Sequence, residues 1–227
     1  MLCLICARSG SKGLINKNLS KINNKSLLQI TIEAAKKIKN IKYIVLSTDS
    51  IRIAKIGKKF GAIIPFIRPK YLSTDGASEW KVWQHAIKKC EKNFDFNDVI
   101  ILPVVSPLRI AIDIKKTINT YKKNTKSCII TVCESHRNPY FNMVKLNSKK
   151  NAKIFLSSKK KILRRQDAPE AYDMCTISYV LNKKTIKNKD SLFSCNLKAV
   201  IIPKSRSIDI DNLHDLKLAR LLYGKKI

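Results

Sequence analysis

The run Leu2-Cys-Leu-Ile-Cys-Ala7 has no polar position, and it passes directly into Arg8-Ser-Gly-Ser-Lys-Gly-Leu-Ile-Asn-Lys-Asn18. A short all-apolar segment suits a strand buried on both faces, and such strands belong to parallel sheets covered by helices. The rest of the chain repeats the theme. Helical spacing of Leu28, Ile32 and Ala35 predicts a helix over 27–38, followed by a strand over 43–47 and a helix over 50–60 that Gly61 stops. A short third strand is expected over 62–65. A helix over 79–92 carries Trp80, Trp83 and Ile87, a strand follows over 98–102, a helix over 112–121 and a strand over 128–133. The pattern returns with strands at 177–181 and 199–202 and a helix over 213–222. Alternation of this kind predicts an α/β fold, a mostly parallel sheet with helices on both faces.

Residues 136–175 break the rhythm. They are polar and Lys-rich, with weak alternation near Tyr140–Lys145 and Ala152–Leu156, and read as a hairpin, lid or dimer arm projecting from a single domain of 1–227. A chain of 227 residues suits one domain and buries enough surface to fold without disulfides. Lys and Arg number 46 against 16 Asp and Glu, a net charge of +30. That excess admits two readings, a nucleic-acid surface or lysines solvated on every face. The lysines lie in short runs along the whole chain, Lys36-Lys37, Lys58-Lys59 and Lys159 to Lys161 among them, with no basic block interleaved with aromatics, which favours solvated lysines. Seven cysteines, several in apolar runs, fit free thiols in a reducing compartment. Cys3 and Cys6 have metal-like spacing, but residues three apart on a strand point to opposite faces. With neither a secretion signal nor a membrane-length apolar stretch, the expectation is a soluble, cytoplasmic protein.

Ligands of open α/β sheets bind beyond the C-terminal ends of the strands. The loop after the first strand has the composition of an anion nest: Gly10 and Gly13 allow close backbone approach, small residues supply donors, and Arg8, Lys12 and Lys17 add charge. It is neither a Walker A loop nor a dinucleotide fingerprint. Near the far end, Ser207-Ile-Asp-Ile-Asp211 places Asp209 and Asp211 on one face of an extended segment, with Ile208 and Ile210 on the other. Two carboxylates, phosphate oxygens and water suit Mg²⁺. Asp211 also precedes the final helix and is a candidate N-cap. Arg68-Pro69 opens a turn and Ser78 is a candidate cap for the helix from Glu79, while Arg109, after a strand, is a candidate for a phosphate or carboxylate. Asp49 either orients the first loop or caps the helix after it, and the cap is the expected role. His136 and His214 have no partner pattern.

The segments Ala7-Arg-x-x-Ser-Lys-Gly-Leu-x-x-Lys-Asn18, Leu46-Ser-Thr-Asp-Ser50, Arg68-Pro-x-x-Leu-Ser-x-Asp-x-Ala-Ser78, Ser106-Pro-Leu-Arg109, Arg165-Gln-x-x-Pro169, Ile177-Ser-Tyr179 and Ser207-Ile-Asp-Ile-Asp211 occur in this order. Together they resemble the acylneuraminate cytidylyltransferases, over essentially the whole chain. The resemblance implies a Rossmann-like nucleotide-diphospho-sugar transferase fold and transfer of CMP from CTP to a sialic-acid-like sugar acid. It implies nucleotide binding by Ala7, Arg8, Ser9, Gly10, Ser11, Lys12, Asn18, Arg68, Ala77, Ser78 and Arg109, and sugar binding by Arg165, Gln166 and Tyr179. It further implies Mg²⁺ on Asp209 and Asp211, catalytic roles for Arg8, Lys17 and Asp211, and a homodimer with no nucleic-acid or membrane partner. The chain departs from the family pattern at Pro103, where a Gln is usual, at Ile15-Asn16 in the first loop, and at Cys175-Thr176, where Asn-Gly is usual. The first change removes a polar group, and the last implies a different sugar pocket.

Overall fold

Alternate residues of each central strand part to opposite sides of the sheet. The computed structural model describes residues 1–11, 13–158 and 161–225. Its strands are β1 (Leu2–Cys6), β2 (Lys21–Ile22), β3 (Lys25–Ser26), β4 (Tyr43–Ser47), β5 (Asp98–Ile101), β6 (Cys128–Glu134), β7 (Val144–Leu146), β8 (Ala152–Ile154), β9 (Tyr172–Asn182) and β10 (Leu197–Ile201). Its helices are α1 (Leu27–Lys36), α2 (Ile51–Lys59), α3 (Glu79–Cys90), α4 (Ala111–Lys122), α5 (Lys183–Asn188) and α6 (Leu213–Leu222). Cys3, Ile5, Ile100 and Ile129 pack under α1, α4 and α6, against Leu28, Ile32, Ile114, Ile118 and Leu216. Leu2, Leu4, Val99, Ile101 and Ile130 face the other way, against Trp80, Trp83 and Ile87 of α3 and Ile186 of α5. This period-2 division is why the strands are apolar at both parities, and it gives the α/β sandwich that the sequence predicts.

The main sheet runs β10-β6-β9-β5-β1-β4. β1 pairs in parallel with β4 and β5, and β10 with β6, while β9 is antiparallel to both β5 and β6. The chain leaves β1 toward β4 and later returns to lay β5 on the other flank, so the C-terminal end of β1 lies at a switch in strand order, where such sheets open a crevice.

Two expectations change in detail, and one small element is added. The strand expected over 62–65 is one bridge, Ile63 to Val45, because Pro65 has no N–H to continue a ladder. The strand expected over 177–181 starts earlier, at Tyr172, and the exposed Tyr172 and Met174 hide its first residues from an apolar-run reading. Residues 21–26 hold a small hairpin, turned by Asn23 and Asn24 at positive φ, a conformation Asn tolerates better than most residues. The excursion carries the β7–β8 hairpin.

One buried ion pair fixes the C-terminal segment to α4. Arg206 forks onto Asp113, Nε to Oδ2 at 3.0 Å and Nη2 to Oδ1 at 2.8 Å, and the Asp113 side chain is 0% exposed. Asp113 Oδ2 also accepts the Ile110 N–H. Asp113→Ala is expected to cost about 3–5 kcal/mol by removing the buried carboxylate that holds the Arg206 fork and the Ile110 N–H. In a chain of this size that lowers Tm by roughly 10 °C, measurable by differential scanning calorimetry. Arg206→Met with Asp113→Leu is expected to recover most of it.

Candidate active site

The first loop is pinned from below and from both sides. The Ala7 N–H donates to Ser47 O at 3.0 Å, tying the loop's first residue to the end of β4. The Ser9 N–H and hydroxyl donate to the two carboxylate oxygens of Asp49 at 2.8 and 2.6 Å. Asp49 therefore orients the loop and does not cap α2 as expected. Ser50 is the cap, its extended backbone bringing Oγ within 3.3 Å of the Ile53 N–H. Partial burial works against ionisation of Asp49, and the Ser9 bonds outweigh it, holding the carboxyl below its usual range. The buried Asn18 donates its amide to Arg8 O at 2.9 Å, closing the loop on itself. Asn16 turns the chain at φ 54°.

Gly13 explains how the two ends of the sequence meet. A Cβ there would stand 2.3 Å from the Asp211 carbonyl oxygen. Only glycine lets the loop lie this close to the 209–211 segment. The Lys17 ammonium reaches Asp211 Oδ1 at 3.0 Å across the same seam. Asp211 does not cap α6. Asn212 takes that position, accepting the Asp215 N–H, while the Asp211 N–H donates to Asp215. The Asp211 carboxylate is left at the surface, its side chain 75% exposed.

Together these elements bound a cavity of about 610 Å³, lined by Cys6, Arg8, Ser11, Gly13, Lys17, Asn18, Arg68, Leu72, Thr74, Asp75, Ala77, Glu79, Val82 and Asp211. Two of its cations are matched by carboxylates: Arg8 with Asp75 at 2.6 Å and Lys17 with Asp211 at 3.0 Å. Ion pairs this exposed are worth only about 0–1 kcal/mol, so an incoming polyphosphate displaces them at little cost.

Of the residues singled out in the sequence, Arg8, Ser11, Lys17, Asn18, Arg68, Ala77 and Asp211 line this cavity. Ala7 and Ser9 hold the loop from behind, and Gly10 has open space around its Cα. Lys12 lies outside the described residues. Ser78 precedes α3 with no side-chain cap bond and does not line the cavity. Arg109 is not brought here either. It is buried, and its Nε and Nη2 donate to the carbonyls of Ser106 and Pro103, bracing the turn after β5. Burial pulls the Arg109 pKa down to about 10 against the nearby Asp209.

Asp209 is held away from the cavity lining. The Ser106 and Thr176 hydroxyls lie 2.5 and 2.6 Å from its Oδ1, and the Thr176 N–H donates to Oδ2 at 3.3 Å. The departure at Thr176 thus supplies a hydroxyl that fixes this carboxylate. Arg165 and Gln166 line a second cavity of about 590 Å³ with Glu134, Arg137, Asn138 and Tyr172. There the Arg165 Nη2 donates to Ser135 O at 2.7 Å and lies 3.7 Å from Glu134. Tyr179 does not join them. It is buried under α3, its ring 5.5 Å from that of Trp83, because its position on β9 faces α3.

The lining residues without an assigned role in the sequence include Cys6, Asp75 and Glu79. Cys6 reads as the last apolar position of a strand, Asp75 as a turn residue and Glu79 as the first turn of a helix. Only the folded arrangement turns them toward one space.

A switch-point crevice lined by a cationic glycine loop is where an α/β protein of this class takes an anionic ligand. The chain belongs to the cytidylyltransferase family: the family model described as "Cytidylyltransferase" matches residues 2–227. It is a nucleotidyltransferase. It is 36% identical over 228 residues to "Post-translational flagellin modification protein B" of Campylobacter coli, covering 100% of this chain and 96% of that one. It is likewise 36% identical over 228 residues, with the same coverage, to "CMP-N,N'-diacetyllegionaminic acid synthase" of Campylobacter jejuni. Among solved structures it matches a CMP:2-keto-3-deoxy-manno-octonic acid synthetase complexed with CTP at a TM-score of 0.73, with 16% identity over 100% of this chain and 99% of that one. That likeness establishes the Rossmann-like fold. No helix among the described residues is long and apolar enough to cross a membrane.

Proposed function

We propose that this protein transfers CMP from CTP to the anomeric hydroxyl of a sialic-acid-like α-keto sugar acid and releases pyrophosphate, with Mg²⁺ as cofactor. The observation that carries the reading is the convergence of Arg8 and Lys17 with Asp211, from opposite ends of the chain, on one cavity. The legionaminic acid synthase among the relatives makes a legionaminate-type sugar the first substrate to test, with pseudaminate, N-acetylneuraminate, Kdn and Kdo as the alternatives.

In this reading Arg8 and Lys17 exchange Asp75 and Asp211 for the triphosphate, and stabilise the pyrophosphate as it leaves. Catalysis of this kind is mostly positioning and charge neutralisation. As Lys17 turns to phosphate, the Asp211 carboxylate becomes available to hold Mg²⁺ or take the proton of the attacking hydroxyl. The donors fit Mg²⁺: an exposed carboxylate on the cavity edge and a second, firmly hydrogen-bonded one two residues away. When bound, Mg²⁺ supplies charge neutralisation at the α-phosphate. Arg165 and Gln166 are proposed to hold the sugar carboxylate, Arg by a bidentate contact. Ser9, Gly10, Ser11, Lys12, Ala77 and Ser78 are proposed as further nucleotide contacts, and Arg109 and Tyr179 as supports of the pocket from behind. The exposed Val144, Leu146, Phe155 and Leu156 on the hairpin arm fit a homodimer contact. Seven free cysteines fit a cytoplasmic location.

The test is continuous detection of pyrophosphate from CTP, Mg²⁺ and each sugar acid. Release is expected with at least one nonulosonic acid and none without sugar. If no sugar acid supports release, and the protein instead binds RNA or DNA with a steep salt slope, the enzyme reading fails and the net charge of +30 becomes the functional feature.

A further inference from the structure

β9 does not run straight past β6. The register shifts between Ile129 and Thr131, which pair with Val180 and Cys175, and the slack forms a bulge in β9 between those two partners. The buried Thr131 holds the bulge, donating from Oγ1 to Cys175 O at 2.7 Å, with the Ser178 N–H donor 3.4 Å away. Bulges re-aim side chains and backbone beside functional sites. Thr176 lies in this one, and both its N–H and its hydroxyl are turned to Asp209. The two oxygens of that carboxylate are engaged unequally. Oδ1 lies 2.6 Å from Thr176 Oγ1 and 2.5 Å from Ser106 Oγ. Oδ2 accepts only the Thr176 N–H among the described residues, at 3.3 Å.

Each hydroxyl has one proton to give. The Ser106 proton has Asp209 Oδ1, Thr176 O at 2.9 Å and Thr176 Oγ1 at 2.7 Å within reach. The Thr176 proton has Asp209 Oδ1 and Ser106 Oγ, and the charged oxygen makes the stronger bond. Thr176 therefore loads Oδ1, and Oδ2 keeps the open acceptor capacity. Mg²⁺ demands near-octahedral coordination, which a carboxylate meets best with one oxygen, whereas Ca²⁺ accepts carboxylates through one oxygen or both. We propose that Thr176 is a positioning residue for the metal: its hydroxyl ties Asp209 Oδ1 into the bulge, so that Asp209 serves as a one-oxygen ligand through Oδ2 and the site favours Mg²⁺ over Ca²⁺. The inference rests on the Mg²⁺-dependent reading above, and adds to it the residue that sets how the carboxylate is offered.

The experiment is isothermal titration of the full chain with CTP, without sugar acid, in three buffers: metal-free, with Mg²⁺ and with Ca²⁺. The proteins are wild type, Thr176→Val, which keeps the shape and the N–H but loses the hydroxyl, and Thr176→Ser, which restores it. Wild type is expected to bind CTP more tightly with Mg²⁺ than without metal. Thr176→Val is expected to weaken binding in Mg²⁺ by about tenfold or more, while its affinities in Ca²⁺ and in metal-free buffer stay at wild-type values. Thr176→Ser is expected to recover the Mg²⁺ affinity. A Thr176→Val affinity in Mg²⁺ within about twofold of wild type overturns the assignment of Thr176 and leaves the metal reading intact. An equal loss in all three buffers also overturns it, because the residue then supports the cavity and not the metal. So does a Thr176→Ser variant that stays as weak as Thr176→Val, or an equal loss in Mg²⁺ and Ca²⁺. Wild-type affinity that no metal changes overturns this inference and the Mg²⁺ reading together, while pyrophosphate release still decides the transferase reading separately.

Discussion

Gly13→Ala is expected to lower kcat/KM for CTP by about a hundredfold or more, a loss consistent with misplacing catalytic groups by about 1 Å. The added methyl would sit 2.3 Å from the Asp211 carbonyl oxygen, closer than any real contact allows. That neighbour is backbone, so no side chain can swing aside. Either the first loop lifts away from the 209–211 segment, or that segment moves and takes Asp211 with it. Both movements separate Lys17 from Asp211 and widen the cavity between them. The loop is anchored independently through Ser9–Asp49 and Asn18–Arg8, so Tm is expected to fall by only a few degrees. Gly76→Ala is the matched control, because a methyl there meets nothing within 4 Å. Retention of wild-type kcat/KM in Gly13→Ala would show that the two ends of the chain need not touch for the reaction.

The layers of this fold were legible because the sheet enforces them. A strand buried on both faces must be apolar throughout, as β1 is, and a helix over one face must carry its apolar side chains at helical spacing, as α1 does. The first loop stood out because glycines and cations after a strand suit an anion nest, and Arg8, Ser11, Gly13 and Lys17 do line the cavity. What the sequence did not disclose is where side chains go once several elements supply alternatives. Asp49 stood before a helix, but Ser50 is one residue closer and takes the cap, leaving Asp49 to reach Ser9 across the sheet end. Asn212 displaces Asp211 from the α6 cap in the same way. Arg109 and Tyr179 carry the polar ends that binding residues carry, yet the strand and turn that bear them point them inward, where backbone carbonyls and Trp83 engage them. Glu79 shows the converse. It reads as an unexceptional acidic residue in a helix's first turn, where the dipole favours it, and only the packing of α3 beside β1 brings it to the cavity.

Asp209→Ala and Asp211→Ala are each expected to reduce pyrophosphate release by about a thousandfold or more, since each removes charge at the point where it develops. The two variants should part company in stability. Asp209 accepts from the Ser106 and Thr176 hydroxyls and from the Thr176 N–H. The Ser106 hydroxyl keeps Thr176 as a partner, but the Thr176 hydroxyl and N–H lose this acceptor, at a cost of about 1–3 kcal/mol each where buried, so a fall in Tm of several degrees should accompany the loss of activity. Asp211 makes an exposed pair with Lys17, worth about 0–1 kcal/mol, and its loss should leave Tm unchanged. It should also leave Lys17 without its resident carboxylate, so CTP binding without Mg²⁺ is expected to hold or tighten while turnover disappears. Turnover assays, calorimetric melting and metal-free CTP titration on the two variants separate these effects. If Asp209→Ala melts lower but keeps more than a tenth of wild-type turnover, Asp209 only braces the turn after β5, and Asp211 carries the carboxylate chemistry alone.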